Sequence, residues 1–151
     1  EIKEINNLEE FEDIFNEYKS YAQKLGFKAI SEKKCKQWFK NMHNDKELCS
    51  LKVLQASESK NHKNKLGYIG ILEFKQKSFY LFGFTNNLGR KYQANSALLW
   101  KAILQSKHNN FKEFDLGGLN KKTPLGIRKY KESLNGIMEF CPGEYFNVSL
   151  F

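Results

Sequence analysis

Residues 111–136 read FKEFDLGGLNKKTPLGIRKYKESLNG, and a strand and a helix meet there. A short strand, Lys112 to Leu116, stops at a Gly117-Gly118 turn and a polar loop, and Thr123-Pro124 then opens a helix carrying Arg128, Lys129 and Lys131. Thr123 offers a hydroxyl to the free N–H groups of the first turn. Pro124 at the first helical position gives up a donor that has no partner there. On a helical wheel Ile127, Tyr130 and Leu134 form one apolar stripe, Lys131 and then Arg128 lie along its flank, and Lys129 points away. A strand that ends in a glycine turn by a cationic helix can form an anion-accepting pocket.

Upstream, Asn7 to Leu25 has the period of a helix. Leu8, Phe11, Phe15, Tyr18, Ala22 and Leu25 recur at three- and four-residue steps, Asn7 and Glu10 form a cap pair, and Gly26 ends the run. Ser31 caps a second helix whose face is Cys35, Trp38, Phe39 and Met42. The period then changes to that of strands over Leu48 to Ala56, Leu66 to Phe74 and Ser78 to Thr85, joined by the charged string Ser57 to Lys65 and a tight turn at Gln76-Lys77. These three make an antiparallel meander. After Asn86 to Lys91 comes a helix from about Gln93 to Lys107, whose apolar residues fall on nearly every side. That pattern predicts a helix buried between layers. Ile137 to Phe140, the turn Cys141-Pro142-Gly143, and Tyr145 to Phe151 read as a closing hairpin.

At 151 residues the chain is long enough for one domain with a core, and an aromatic share of 15% argues against disorder. The formal charge of +8 suits an anionic partner such as RNA, a nucleotide or an acidic lipid surface, although an AT-rich genome also enriches lysine. Arginine occurs only at Arg90 and Arg128, which makes those two more informative than any lysine. Cys35, Cys49 and Cys141 are odd in number and far apart, with no CxxC pair. They predict neither a disulfide framework nor a zinc site, and they suit a reducing cytoplasm. His43, His62 and His108 are isolated in polar contexts. No apolar run approaches the ~20 residues of a membrane span. The chain begins at Glu1 without a Met, as a processed or excised fragment would.

The motifs "NFKEFDLGG" and "LGIRKYKESLNG" resemble the closing segment of Fem-type (FemABX) peptidoglycan interpeptide-bridge aminoacyltransferases, whose domains are variants of the GNAT acyltransferase fold. Counterparts of that segment are Ala97 to Ser106, Phe114 to Gly118, Leu125 to Gly136 and Ile137 to Phe151, and the similarity extends back through "FYLFGF" to the first helix. The resemblance implies a single α/β (α+β) GNAT-like domain over residues 1–151, with a mixed, mostly antiparallel sheet and helices on both faces, standing as the C-terminal half of a longer two-domain protein. The family normally pairs two such domains and binds the precursor mainly on the first, so a second GNAT-like domain or a second copy is an implied partner.

The activity it implies is transfer of an amino acid from aminoacyl-tRNA to an amine of a cell-wall precursor, with no cofactor, in the cytoplasm. An activated ester is a good electrophile, so holding the reactants together and meeting the developing oxyanion with donors carry the rate. The family's Lys in "FK" corresponds to Lys131, with Tyr130 replacing the usual Phe, and the resemblance gives them the reacting acyl group or the tRNA end. A snorkelling surface lysine is the competing reading of Lys131. Arg128 clamps a phosphate or pairs with Glu132 four residues on. Asp115 acts as base for the amine or caps the Gly117-Gly118 turn. Arg90 stands at the mouth of the helix that follows.

CoA-dependent GNAT enzymes carry an R/Q-x-x-G-x-G/A turn at that mouth. Gln93-Ala94-Asn95-Ser96-Ala97 keeps the Gln and lacks the first glycine, so Ser96 and Ala97 crowd a closely approaching phosphate. A CoA-dependent N-acyltransferase acting on an amino sugar or peptide, with acetyl-CoA or acyl-CoA as donor, is the first alternative. A non-catalytic docking module is the second.

Overall fold

The computed structural model describes residues 1–41, 49–119, 121 and 123–140. They fall into two compact units, Glu1–Gly117 and a second that begins at Gly118.

In the first unit, strands β1 (Ile2–Glu4), β2 (Ser50–Ser57), β3 (Lys65–Phe74), β4 (Lys77–Thr85) and β5 (Glu113–Asp115) form one sheet in that order. The first four pair antiparallel and β5 runs parallel to β4. The alternation of β2 explains why both faces are covered. Leu51 and Val53 point to one side, where they meet Phe11, Phe15 and Tyr18 of α1 (Leu8–Leu25) and Cys35 and Phe39 of α2 (Glu32–Lys40). Leu54 and Ala56 point to the other, where they join Ile69 and Ile71 of β3 against Ala94, Leu98 and Ala102 of α4 (Ala94–His108). The mixed sheet with helices on both faces is therefore as expected. Burial pushes the Cys35 thiol up to about 11, which suits a core residue rather than a reactive one.

Several boundaries differ from the sequence reading. Asn7 caps α1 through its side chain, which accepts from the N–H groups of Glu9 and Glu10, but Glu10 turns its carboxylate to Lys3 instead of back to the cap. Ser31 stands at the start of α2 without a side-chain cap bond. The β3–β4 turn lies one residue earlier than expected, at Lys75-Gln76, with Lys75 in the left-handed region at φ 53°. β1 was not expected. The stretch after β4, to which the sequence reading gave no element, forms a short helix, α3 (Asn87–Lys91), capped by the Asn86 side chain on the Gly89 N–H at 2.7 Å.

The largest correction concerns α4, which is not buried all round. Its inner side is buried at Ala94, Leu98, Leu99, Ala102 and Ser106, but Trp100 is 59% exposed and Leu104 46%. Ala94 and Ala102 flank Leu98 at the sheet contact, whereas Trp100 and Leu104 point outward. In the second unit, α5 (Leu125–Ser133) begins one residue later than expected, with Pro124 at the cap position, where its carbonyl accepts from Ile127 and Arg128. Ile137 to Phe140 has no regular structure. Met42, His43 and the rest of the closing hairpin from Cys141 lie outside the described residues.

Gly89 sits where α3 crosses β3, and a Cβ there would collide with the Leu66 carbonyl and the Thr85 methyl. Because the obstacle is backbone, Gly89→Ala is expected to lower stability by about 1–3 kcal/mol in urea unfolding. Burial pushes the Glu73 carboxyl above its ordinary value of 4.5 even though Lys52 lies 3.1 Å away and pulls it down. A raised acid binds more protons in the folded state, so its contribution is full below that value and is lost as pH rises through the folded one. Glu73→Gln is expected to flatten the fall in urea midpoint above pH 4.5.

Candidate functional site

The parallel pairing of β4 with β5 is short. Lys77, Ser78 and Phe79 face Glu113, Phe114 and Asp115, and there β5 ends. β4 runs on to Thr85, so from Leu81 to Thr85 its outer edge has no strand beside it among the described residues. Such an edge presents backbone N–H and C=O groups to whatever lies along it. The sequence reading missed this feature, because an unpaired edge depends on the length of the neighbouring strand and no single residue marks it.

Asp115 ends β5, and the expected glycines Gly117 and Gly118 follow it. Asp115 is exposed, and its Oδ1 accepts the Gly117 N–H at 2.7 Å. This is the turn-capping arrangement, and it fixes where the chain leaves the strand. Gly117 has φ 80°, in the region that favours glycine, whereas a Cβ on Gly118 would meet nothing within 4 Å. Only the first glycine of the pair is therefore demanded by the backbone.

At the other end of the edge, Arg90 and Gln93 are brought together. The Gln93 N–H donates to the Arg90 carbonyl at 3.1 Å, and Gln93 adopts φ 54° to turn the chain from α3 into α4. Both side chains are exposed, and Arg90 has no ion pair among the described residues. In the first turn of α4 the N–H groups of Ser96 and Ala97 both return to the Gln93 carbonyl, at 3.0 and 3.2 Å.

In the second unit Lys131 Nζ donates to the Gly118 carbonyl at 3.2 Å, so these two expected site residues meet. Arg128 lies 3.8 Å from Glu132, the ion pair that the spacing allowed. Lys131 and Arg128 are half-buried and Lys129 is exposed, as the helical wheel implies. No residue of α5 is buried outright. The Tyr130 hydroxyl is nonetheless covered and has no hydrogen-bond partner among the described residues. No group of metal-ligating side chains occurs among them either.

A family model described as the FemAB family matches residues 3–149. The chain belongs to the FemAB family. No curated protein matches it. Solved structures share the fold of this FemAB protein over nearly the whole of both chains. A ribosomal-protein-alanine N-acetyltransferase from Brucella melitensis biovar Abortus 2308 is 13% identical, with a TM-score of 0.66 and coverage of 99% of this chain and 98% of that one. An aminoglycoside acetyltransferase from an uncultured soil metagenomic sample, in complex with sisomicin, is 12% identical at TM-score 0.65, covering 99% and 96%. An acetyltransferase described as putative, from Pyrococcus furiosus, is 17% identical at 0.63, covering 97% and 100%. The FemAB protein thus has the GNAT acetyltransferase fold and is an acyltransferase in its general class. Among the described residues no helix is long and apolar enough to cross a membrane.

Gly117→Ala is expected to cost about 1 kcal/mol and Gly118→Ala to stay within about 0.5 kcal/mol of the parent, measured by urea unfolding. Asp115→Ala is expected to lose about 0.5–1.5 kcal/mol with the Gly117 hydrogen bond, most of which Asp115→Asn retains.

Proposed function

We propose that this FemAB protein moves an aminoacyl group from aminoacyl-tRNA to an amine of a cell-wall precursor. The observation that carries the reading is the β4 edge freed where β5 stops. An aminoacyl ester carries an α-amine that an edge C=O can accept from and a carbonyl that edge N–H groups can meet as the oxyanion develops. The amine nitrogen bonds to the ester carbonyl carbon, the tetrahedral intermediate collapses, and the ribose oxygen leaves with the proton that the amine gives up. Holding the two reactants together supplies most of the acceleration.

The start of α4 supports a tRNA donor over CoA. A pyrophosphate held there needs free N–H groups and a close backbone approach, but Ser96 and Ala97 carry side chains and spend their N–H groups on Gln93. Arg90 can meet a tRNA phosphate, and the charge of +8 favours such a partner. In the second unit, taken by itself, the family resemblance gives Lys131, whose ammonium donates to the Gly118 carbonyl, and Arg128 to the tRNA end. Asp115 holds the Gly117 turn that closes the strand end. The acetyltransferases that share the fold favour a second reading, acyl transfer from CoA, and one experiment separates the two.

At one fixed near-physiological salt, a charged acceptor-stem minihelix is expected to bind saturably and acetyl-CoA not to bind. Arg90→Ala, Arg128→Ala and Lys131→Ala are each expected to weaken minihelix binding by about three- to tenfold. Saturable acetyl-CoA binding that leaves the minihelix unbound would overturn the aminoacyl-tRNA reading.

A further inference from the structure

Strand β4 breaks its own alternation at one residue. Gly70 of β3 faces Phe82 and Ile71 faces Tyr80, so Leu81 is an extra residue on β4, a β-bulge. Leu81 and Phe82 both pack toward α1 and α2 in consequence. Tyr80 packs toward α4, and so does Ile69, the register partner of Gly83, which puts Tyr80 and Gly83 on the same face. In a regular strand two residues three apart point to opposite faces.

The bulge thereby lays the tyrosine over the glycine. A Cβ on Gly83 would collide with the Tyr80 hydroxyl and press on a methyl of Ile69. Gly83 has no positive φ, so its backbone does not call for glycine, whereas the room taken by the hydroxyl does. A glycine inside a strand weakens it and marks a place where another group comes close. An aromatic ring without a hydroxyl, set over an alanine, would pack this face without that cost. The position is that of the free edge: Leu81 to Thr85 has no strand beside it among the described residues, and Gly83 is its middle residue. Tyr80 and Gly83 are each half-buried, so α4 does not close over this part of the strand.

We propose that the Tyr80 hydroxyl donates to the carbonyl oxygen of the acyl group in transfer, and that Gly83 is glycine in order to admit it. That the acyl group lies along this edge rests on the function proposed above. Edge N–H groups then meet the developing oxyanion in the plane of the sheet, and the hydroxyl meets it from the α4 face. The phenol keeps its proton throughout, and the bonds that form and break are those already given. A phenol oxygen both donates and accepts, so it can keep another partner while it donates to the acyl oxygen.

The test titrates the full chain with two pairs of probes, an alanyl minihelix joined through a stable amide against the uncharged minihelix, and acetyl-CoA against CoA. Within each pair the ratio of affinities isolates the acyl group. Tyr80→Phe is expected to lower the preference for the acylated probe by about three- to tenfold, with binding of the uncharged probe and the urea midpoint unchanged. Gly83→Ala pushes the hydroxyl aside and is expected to lower the same ratio, and the double variant is expected to lose no more than either single one. Residues that only pack would shift both members of a pair alike. An unchanged ratio in Tyr80→Phe, or losses that add in the double variant, would overturn the role of the hydroxyl and leave the function above standing. A minihelix that does not bind the parent would sink that function, and the acetyl-CoA pair would then decide the hydroxyl alone. A parent with no preference for either acylated probe overturns both.

Discussion

The architecture depends on a sheet that must be dry on both sides. β2 and β3 send large side chains alternately to α1 with α2 and to α4, and a slip of one residue would exchange the two sets of partners. Glycines at the crowded points keep that register affordable: at Gly70 any side chain would strike the Phe82 ring across the hairpin. Once the two faces are fixed, the free length of β4 follows from where β5 stops.

Elements whose signal is local were legible in the sequence. α1 could be read because Phe11, Phe15, Tyr18 and Ala22 repeat at helical steps between an Asn cap and a left-handed Gly26. The meander could be read because β-branched and aromatic residues are cut by polar turns. α4 was misread for a physical reason: its sequence gives the number of apolar residues but not which of them a neighbour covers, and Trp100 and Leu104 are left exposed among the described residues. β1 contributes only Ile2, Lys3 and Glu4 and owes its existence to pairing with Leu54, Gln55 and Ala56 far along the chain. α3 carries a glycine and one helical turn or so, too little for a period to be visible.

The site was legible in part. Asp115, Gly117 and Lys131 stood out by residue type and spacing, and each has a local role in the structure, as turn cap, left-handed corner and donor to the Gly118 carbonyl. The β4 edge did not stand out, because it depends on where β5 stops and not on any residue of β4 itself.

The outward side of α4 has an optical consequence. The chain holds two tryptophans, Trp38 half-buried in the packing of α2 and Trp100 largely in solvent. Their indoles report different places: Trp38 follows the integrity of the core, and Trp100 follows the wetness of a single helix face. Emission colour and access to a small quencher would therefore divide into a component that changes only when the core melts and one that changes when anything covers α4.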